Sequence, residues 1–458
     1  MKDECTFQCQ RSGYLTLFLF IIITIFTCTI CYAEDPSSSS ILKKRENTSG
    51  TITISEGLRL ATEKNRILRI ASLNKDIAYT DTLVAQSRFL PSIDASANYT
   101  LFAHQPGFRF GTQNAYSSEK SFPSYGITVH QTLYDFGART SKYDASKALL
   151  EATNLDITKT RNLVALDFIN AYCDLLETEK MIVVAQKERE SLESHLKDAQ
   201  SLFNEGVITK NDLLQAEVRL SDARQKLLTM KNVRAVNASR INNILARPLR
   251  EDITVVDVSV NNPQTMELDK AWEYAEKQRT ELQRIDQELK IAGLEEIVKK
   301  SEYYPTIYAL GGYNYSENRY MLHDDNWSLI FGLNLNLFSG GSTKAEVAKI
   351  KYKRDQLLEQ RNKLLDDIKL EVKKNYLDME NAKEKIQVTK DAVSQAEENL
   401  RINKIRYKEG IGTATDVLDA ITLLTTAETN YYRAVYDFRR AQAGLMYATG
   451  SDLLSSYL

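Results

Sequence analysis

Two periodicities alternate along this chain, and each is written twice. From Ala138 to Asn204, and again from Ser342 to Lys408, 67 residues pass without a Gly or a Pro. In the second stretch apolar residues recur at every seventh position, Leu358, Leu365, Val372, Met379, Ile386, Val393, Leu400 and Tyr407. The first stretch carries the same seam as Phe168, Leu175, Ile182, Leu196 and Phe203, interrupted at Arg189. A sustained seven-residue repeat keeps one stripe of a helix against a partner, so both stretches are predicted as coiled-coil helices, each about 100 Å long. Ala382 and Ala396 beside the second seam would let neighbouring helices approach closely. Each long stretch ends at a glycine, Gly206 or Gly410, turns, and leads into a shorter helical stretch, Asn211 to Arg247 and Thr415 to Thr449. Two other helical stretches, Ile54 to Leu90 and Leu268 to Tyr304, run into Pro91 and Pro305. Two short stretches stacked end to end would match one long helix, with their junction near mid-height beside Pro248 to Gln264 and the C-terminus.

After each proline the period changes to two. Ile93, Ala95, Ala97, Tyr99 and Leu101 alternate with Asp94, Ser96, Asn98 and Thr100; the copy has Ile307, Ala309, Gly311, Tyr313 and Tyr315. Returning strands carry Tyr125, Ile127, Val129, Gln131 and Leu133, then Trp327, Leu329, Phe331, Leu333, Leu335 and Leu337. Strands of this length with one apolar face and aromatics near their ends suit an outer-membrane barrel, and they also suit a soluble hairpin with one wet face. The segments Gln105 to Ser121 and Ser316 to Asp325 are polar, aromatic-rich loops, longer than a hairpin needs. Four strands cannot close a barrel, and an open sheet edge in lipid leaves backbone groups unpaired, so a membrane-spanning form must be an oligomer. Three copies give twelve strands from four per chain, an even count within the bacterial range.

The whole order is an internal duplication. Glu205-Gly206-Val207-Ile208-Thr209 followed by Asp212-Leu213-Leu214-Gln215-Ala216 returns as Glu409-Gly410-Ile411-Gly412-Thr413 followed by Asp416-Val417-Leu418-Asp419-Ala420, 204 positions later. Pro91 returns as Pro305 at an offset of 214, so the first strand hairpin holds ten more residues than the second. The expected partition is a first repeat over 51–247, an equatorial linker over 248–267, a second repeat over 268–449 and a tail over 450–458. Each repeat is read as helix, strand hairpin (about 91–137 and 305–341), long helix and short helix.

Composition places the 458-residue chain among globular or coiled-coil proteins, with 43% apolar and 26% charged residues, and its formal charge of −2 argues against a nucleic-acid partner. Lys2 and Arg11 precede an apolar run from Tyr14 to Ile30 and small residues up to Ala33, which reads as a signal peptide over 1–33 cleaved before Glu34. A retained anchor is the alternative, although the run is short for a membrane-spanning helix. Cleavage would leave Cys173 as the one cysteine, so no internal disulfide is expected. Residues 34–50, rich in Ser and charge, read as a flexible tether.

Catalytic chemistry has no foothold. His104, His130, His195 and His323 show no metal-ligand spacing and read as structural or solvated. Gly340-Gly341-Ser342-Thr343-Lys344 has a superficial likeness to a phosphate loop, but the residue order is wrong and turn chemistry explains it. No enzyme, cofactor or metal is expected.

Taken together, the duplicated helix, hairpin and helix order resembles the TolC-type outer-membrane efflux and secretion channels of Gram-negative bacteria. The resemblance covers the whole mature chain. It rests on the two prolines, on Tyr134-Asp135-Phe136-Gly137 and Phe338-Ser339-Gly340-Gly341 after the hairpins, and on Gly412-Thr413 with Asp416-Val417-Leu418-Asp419-Ala420. It implies an α+β membrane protein of the cell outer membrane: a homotrimer combining a transmembrane β-barrel with a long coiled-coil α-helical barrel in the periplasm. It also implies an exit duct that exports small molecules or polypeptides with a periplasmic adaptor and an inner-membrane transporter. A structural coiled-coil stalk or adhesin anchored in the envelope is the rival reading; it accounts for the heptads and leaves the two strand hairpins unexplained.

Two aspartates three residues apart constrict the family's lumen, and the resemblance maps them onto Asp416 and Asp419. The interval from Gly412-Thr413 to Asp416 looks shorter than in the best-known member, and the long C-terminal extension of some members is missing. Residues at i and i+3 share a helix face, so three chains could present six carboxylates to a pore. Asp416 also fits simple helix capping by Thr413, as Asp212 does by Thr209, and both readings stay open. Asp419 is opposite Gln215 in the other repeat, so a shared capping need does not explain it. By resemblance the turns Gly206, Val207 and Thr209, and Gly410, Ile411, Gly412 and Thr413, dock the adaptor, while a plain C-cap explains the glycines equally. Asp419 and Gly412 against Gln215 and Ile208 would make one tip acidic and flexible.

Overall fold

The computed structural model describes residues 51–257 and 266–457. The expected signal peptide and tether, and positions 258–265 of the linker, lie outside the described residues. After a short strand β1 (Thr51–Ile52) come helices α1 (Ile54–Lys64) and α2 (Arg66–Ser87). Strands β2 (Ser92–Leu101), β3 (Gly107–Phe110), β4 (Gln113–Tyr116) and β5 (Ser121–Tyr134) precede the long helix α3 (Ala138–Asn204) and helix α4 (Lys210–Ile244). Strand β6 (Thr254–Val255) lies in the linker, and the second half follows with α5 (Leu268–Gln278), α6 (Thr280–Ser301), β7 (Thr306–Ser316), β8 (Asp325–Asn334), long α7 (Ser342–Lys408), α8 (Ala414–Ala448) and short α9 (Leu453–Tyr457).

The expected single helices Ile54 to Leu90 and Leu268 to Tyr304 are each two helices. The first breaks at Asn65, whose backbone is extended (φ −61°, ψ 133°) and whose side chain caps α2 by accepting from Ile67 N–H. The second breaks at Arg279, at the same 214-residue offset. Each break residue then reaches the end of a helix arriving from the other direction. Asn65 Nδ2 donates to the Ile244 carbonyl at 2.9 Å, and Arg279 Nη1 donates to the Ala448 carbonyl at 3.2 Å. The side chains thereby satisfy carbonyls that a helix C-terminus leaves without partners.

These junctions place short helices end to end along the long ones. In the sheet-proximal half the contact order is α2–α3–α6–α7, and in the turn-proximal half it is α4–α3–α8–α7. Each half therefore shows four helical columns, with α3 and α6/α8 inside and α2/α4 and α7 on the flanks. Of the second seam, Val372, Met379, Leu400 and Tyr407 are buried, whereas Leu358 on the flank column is exposed. Further apolar side chains are uncovered on both flanks, among them Ile67, Ile70 and Ile77 of α2, Val218 and Val236 of α4, and Leu370, Leu377 and Val388 of α7.

The largest core lies at mid-height, where α1 and the parallel β1–β6 pair pack on α3. Phe168, Ile169, Tyr172 and Leu175 of α3 meet Leu58, Ile241, Leu245 and Ile253 there. Tyr172 Oη accepts from Val256 N–H and lies 2.7 Å from the Val256 carbonyl, which ties the linker to the helix. Gly57 fits because a Cβ there would lie 2.1 Å from Phe168 Cζ. The tail is built in as well: α9 sets the fully buried Leu453 into this core.

Four strands form one antiparallel sheet in the order β2-β5-β7-β8. Cross-strand rows sort the two faces. Ile93, Val129, Gly311 and Leu329 lie in one row, and Ala95, Ile127, Tyr313 and Trp327 in another, on one apolar face. The opposite face carries Asp94, Thr128, Gly312 and Ser328, then Ser96, Gly126, Asn314 and Asn326. Ile93, Tyr99, Trp327, Leu329 and Phe331 are exposed within the chain, and β2 and β8 have open outer edges. Leu335 and Leu337 fall beyond the end of β8.

The expected loop Gln105 to Ser121 contains a second hairpin, β3–β4, closed by Gly111-Thr112 with Gly111 at φ +62°. Positive φ at the first turn residue matches the twist of a two-residue hairpin and favours glycine there. Buried Asn318 joins the two outer loops: its Oδ1 accepts from Glu119 N–H at 3.2 Å and its Nδ2 donates to Ser118 Oγ at 2.8 Å.

Candidate functional site

The candidate site is the pair of turns joining α3 to α4 and α7 to α8. Both turns close by the same backbone device. Gly206 and Gly410 take left-handed φ of +75° and +73°, which costs least without a Cβ. Gly206 N–H donates to Phe203 O (3.0 Å) and Val207 N–H to Leu202 O (2.9 Å); Gly410 and Ile411 donate likewise to Tyr407 and Arg406 (3.1 and 3.0 Å). This pairing satisfies the last carbonyls of both long helices. The apolar Val207 and Ile411 that follow remain exposed.

The next helix starts on a reciprocal capping box in each turn. Thr209 Oγ1 accepts from Asp212 N–H at 3.3 Å, and Asp212 Oδ2 accepts from Thr209 N–H at 3.1 Å. Thr413 and Asp416 repeat it at 3.2 and 3.0 Å. Two donors that the helix start would otherwise leave unpaired are met by two side chains. The Thr413 backbone N–H, and then its hydroxyl, hold the Asp416 carboxyl below the usual carboxylate range. Asp416 thus has a capping role irrespective of any other.

Asp419 lies one turn further along α8, exposed, and its carboxylate makes no hydrogen bond or ion pair with another described residue. Its neighbours Val417, Leu418, Ala420 and Ile421 are buried in the turn-proximal core with Leu192, Leu220 and Leu400. Gly412, opposite Ile208 in the other turn, lies against the end of α7. It is half-buried, and a Cβ on it would lie 3.1 Å from Tyr407 N and 3.2 Å from Arg406 C, so the glycine permits close approach of the turn to the end of α7.

Sequence reading missed the polar seam between the two helix hairpins. Lys187 Nζ on α3 reaches buried Glu428 on α8 at 2.6 Å, Lys408 lies 3.7 Å from Asp198, and the rings of His195 and Tyr407 pack with centroids 5.1 Å apart. A His and a Tyr at helix positions 212 residues apart give no local signal of meeting. Among the described residues no group of three or more His, Cys, Asp or Glu is placed to hold a metal, and no helix is long and apolar enough to cross a membrane.

An α+β chain with one apolar-faced sheet, duplicated long helices and capped turns defines the channel class more sharply than any single residue. The model of the family described as "outer membrane efflux protein" matches residues 57–247 and 273–451, and the chain belongs to that family. It is an outer-membrane channel protein and not an enzyme. Among relatives, nodulation protein T of Rhizobium leguminosarum bv. trifolii is 21% identical over 383 residues, covering 82% of this chain and 80% of the relative. Outer membrane protein TolC of Salmonella enteritidis is 23% identical over 432 residues, covering 88% and 85%. Among solved structures, the Campylobacter jejuni CmeC outer-membrane channel superposes with a TM-score of 0.76 at 15% identity, covering 87% of this chain and 85% of that one.

Proposed function

We propose that three copies of this chain assemble into an exit duct crossing the outer membrane and continuing as a helical tube in the periplasm. The observation that carries this reading is that sheet and helices are left open on the same two flanks. Strand β2 leads from α2 and strand β8 leads into α7, so the unpaired edges sit above the flank columns that expose apolar side chains. An open edge facing lipid leaves N–H and C=O groups unpaired at several kcal/mol each, and closure removes that cost. Three four-stranded sheets supply twelve strands, with the apolar rows facing lipid and the Asp94 and Asn314 rows lining the lumen.

In this assembly the turns at Gly206, Val207 and Thr209, and at Gly410, Ile411, Gly412 and Thr413, dock a periplasmic adaptor that links the duct to an inner-membrane transporter. The exposed Val207 and Ile411 at equivalent points of the two turns support that role. Asp416 and Asp419 form the acidic constriction. Asp419 has an uncommitted carboxylate for the lumen, while one oxygen of Asp416 stays bound to its cap. Cargo consists of small molecules or polypeptides delivered by the transporter, and the channel performs no chemistry on them. The mass of the detergent-solubilised particle tests the assembly: a threefold protomer mass that collapses to one on boiling is expected, and a stable monomer in detergent and in membranes would remove the basis for the duct.

A further inference from the structure

The seam between the α3/α4 and α7/α8 hairpins contains a titratable side chain that no hydrogen bond satisfies. His195 is 3% exposed and Tyr407 4%, and neither His195 Nε2 nor Tyr407 Oη makes a hydrogen bond. Both stand near the turn ends of their helices, nine residues before Asn204 and one before Lys408. Tyr407 belongs to an apolar cluster with Leu192, Leu400, Val417 and Leu418, and Leu192 lies one helical turn before His195 on the same face.

The charged groups around the pair come from each neighbouring helix. Asp198 faces it from α3 and Lys404 from α7, Lys408 of α7 lies 3.7 Å from Asp198, and Asp212 of α4 acts on Tyr407. Helix α8 contributes Ala414, Val417, Leu418 and Ile421 to the cluster, while its Asp416 is bound to Thr413 and its Glu428 to Lys187 further along. Burial holds the His195 imidazole below its ordinary value, Asp198 pulls the other way, and Lys404 adds to the lowering.

We propose that His195 is a proton-operated latch between the two helix hairpins: neutral, it lets the seam close without water, and once protonated it parts the hairpins and opens the duct. The reasoning rests on the duct reading above. A charged imidazolium at this buried, unpartnered point of the seam needs an acceptor or water, and parting the seam supplies it. The sign follows from the lowered value. Well above the ordinary imidazole range both arrangements are neutral and the seam keeps its full stability; as pH falls through that range towards the buried value, the parted form takes up the proton first and the closed seam loses stability.

The test uses the full assembled protein in planar bilayers between about pH 7.5 and about pH 5.5. The open-to-closed ratio of the wild type is expected to rise by up to about tenfold per pH unit per protomer, and His195→Phe and His195→Gln to remove that rise while still conducting. A second readout is the distance between spin labels at Glu205→Cys and Glu409→Cys in a Cys173→Ser background. It is expected to lengthen on acidification with His195 present and to stay fixed with His195→Phe. An unchanged pH profile in both His195 variants, or a label distance independent of pH in the parent, overturns the latch and leaves the duct standing. A label distance that responds through His195 in a protein that never conducts supports the latch and removes the duct.

Discussion

Arg279 gathers several interactions at mid-height, and its removal gives a quantitative test of the end-to-end helix junction. The residue is 6% exposed. Its guanidinium donates through Nε and Nη2 to the two carboxylate oxygens of Glu281 (3.0 and 3.2 Å), through Nη1 to Glu371 (2.9 Å) and to the Ala448 carbonyl (3.2 Å), and it lies over the Tyr447 ring. Truncation to Ala leaves the largely buried Glu281 carboxylate and the Ala448 carbonyl without their donor. Breaking a buried pair from one side costs about 3–5 kcal/mol. Glu371 is 37% exposed, so water takes over much of its share, and the lower end, about 3 kcal/mol, is expected. That loss corresponds to roughly a hundredfold fall in protection. Hydrogen exchange read by mass spectrometry at Leu282 and Gln283 of α6 and at Thr449 is the assay, because local opening is measurable where global unfolding of a membrane oligomer is not a two-state event. Asn65→Ala, the counterpart at the first junction, should cost about 1–2 kcal/mol, since it removes one cap and one neutral hydrogen bond. A change below about threefold in Arg279→Ala would refute the idea that this side chain joins the two helices.

Three further outcomes are expected. Gly57→Ala forces a Cβ into the Phe168 ring and should cost about 1–3 kcal/mol in thermal resistance, with Phe168→Leu in the same chain restoring part of it; an unchanged melting profile would show that the contact is slack. Cys173, 3% exposed with its thiol pushed by burial to about 12, should stay unlabelled by a maleimide in the folded protein at neutral pH and react after denaturation; fast native labelling would place it at a surface. Asp416→Ala with Asp419→Ala should raise conductance or abolish block by multivalent cations, and Asp419→Ala alone should carry most of the effect; block that survives both changes would return Asp416 to capping alone.

The sequence made the long helices readable because coiled coils write their contacts locally, one apolar residue every seventh position. It did not show which seam residues face a partner within the chain. Leu358 and Val372 lie on the same helix with the same periodic signature, yet Val372 is buried against Leu282 and Ala448 while Leu358 is exposed. The breaks at Asn65 and Arg279 were obscured for another reason: neither is Gly or Pro, and their purpose, meeting the carbonyls of Ile244 and Ala448, is set by residues about 170 or more positions away. The β3–β4 hairpin did leave a signal, Phe108 and Phe110 before Gly111-Thr112, hidden within a longer polar segment. At the tips, Thr-x-x-Asp was legible because capping boxes are local. The meeting of His195 with Tyr407, set by packing between helices, was not.

The most direct measurement of the central claim is the electrical behaviour of the purified protein in a planar lipid bilayer. The account expects discrete conductance steps that scale with the number of inserted trimers, favour cations, and are blocked from the helical side by a multivalent cation. A protein that inserts as a trimer yet gives no ion current under any voltage or pH, or a current indifferent to the sign of the ion, would contradict it.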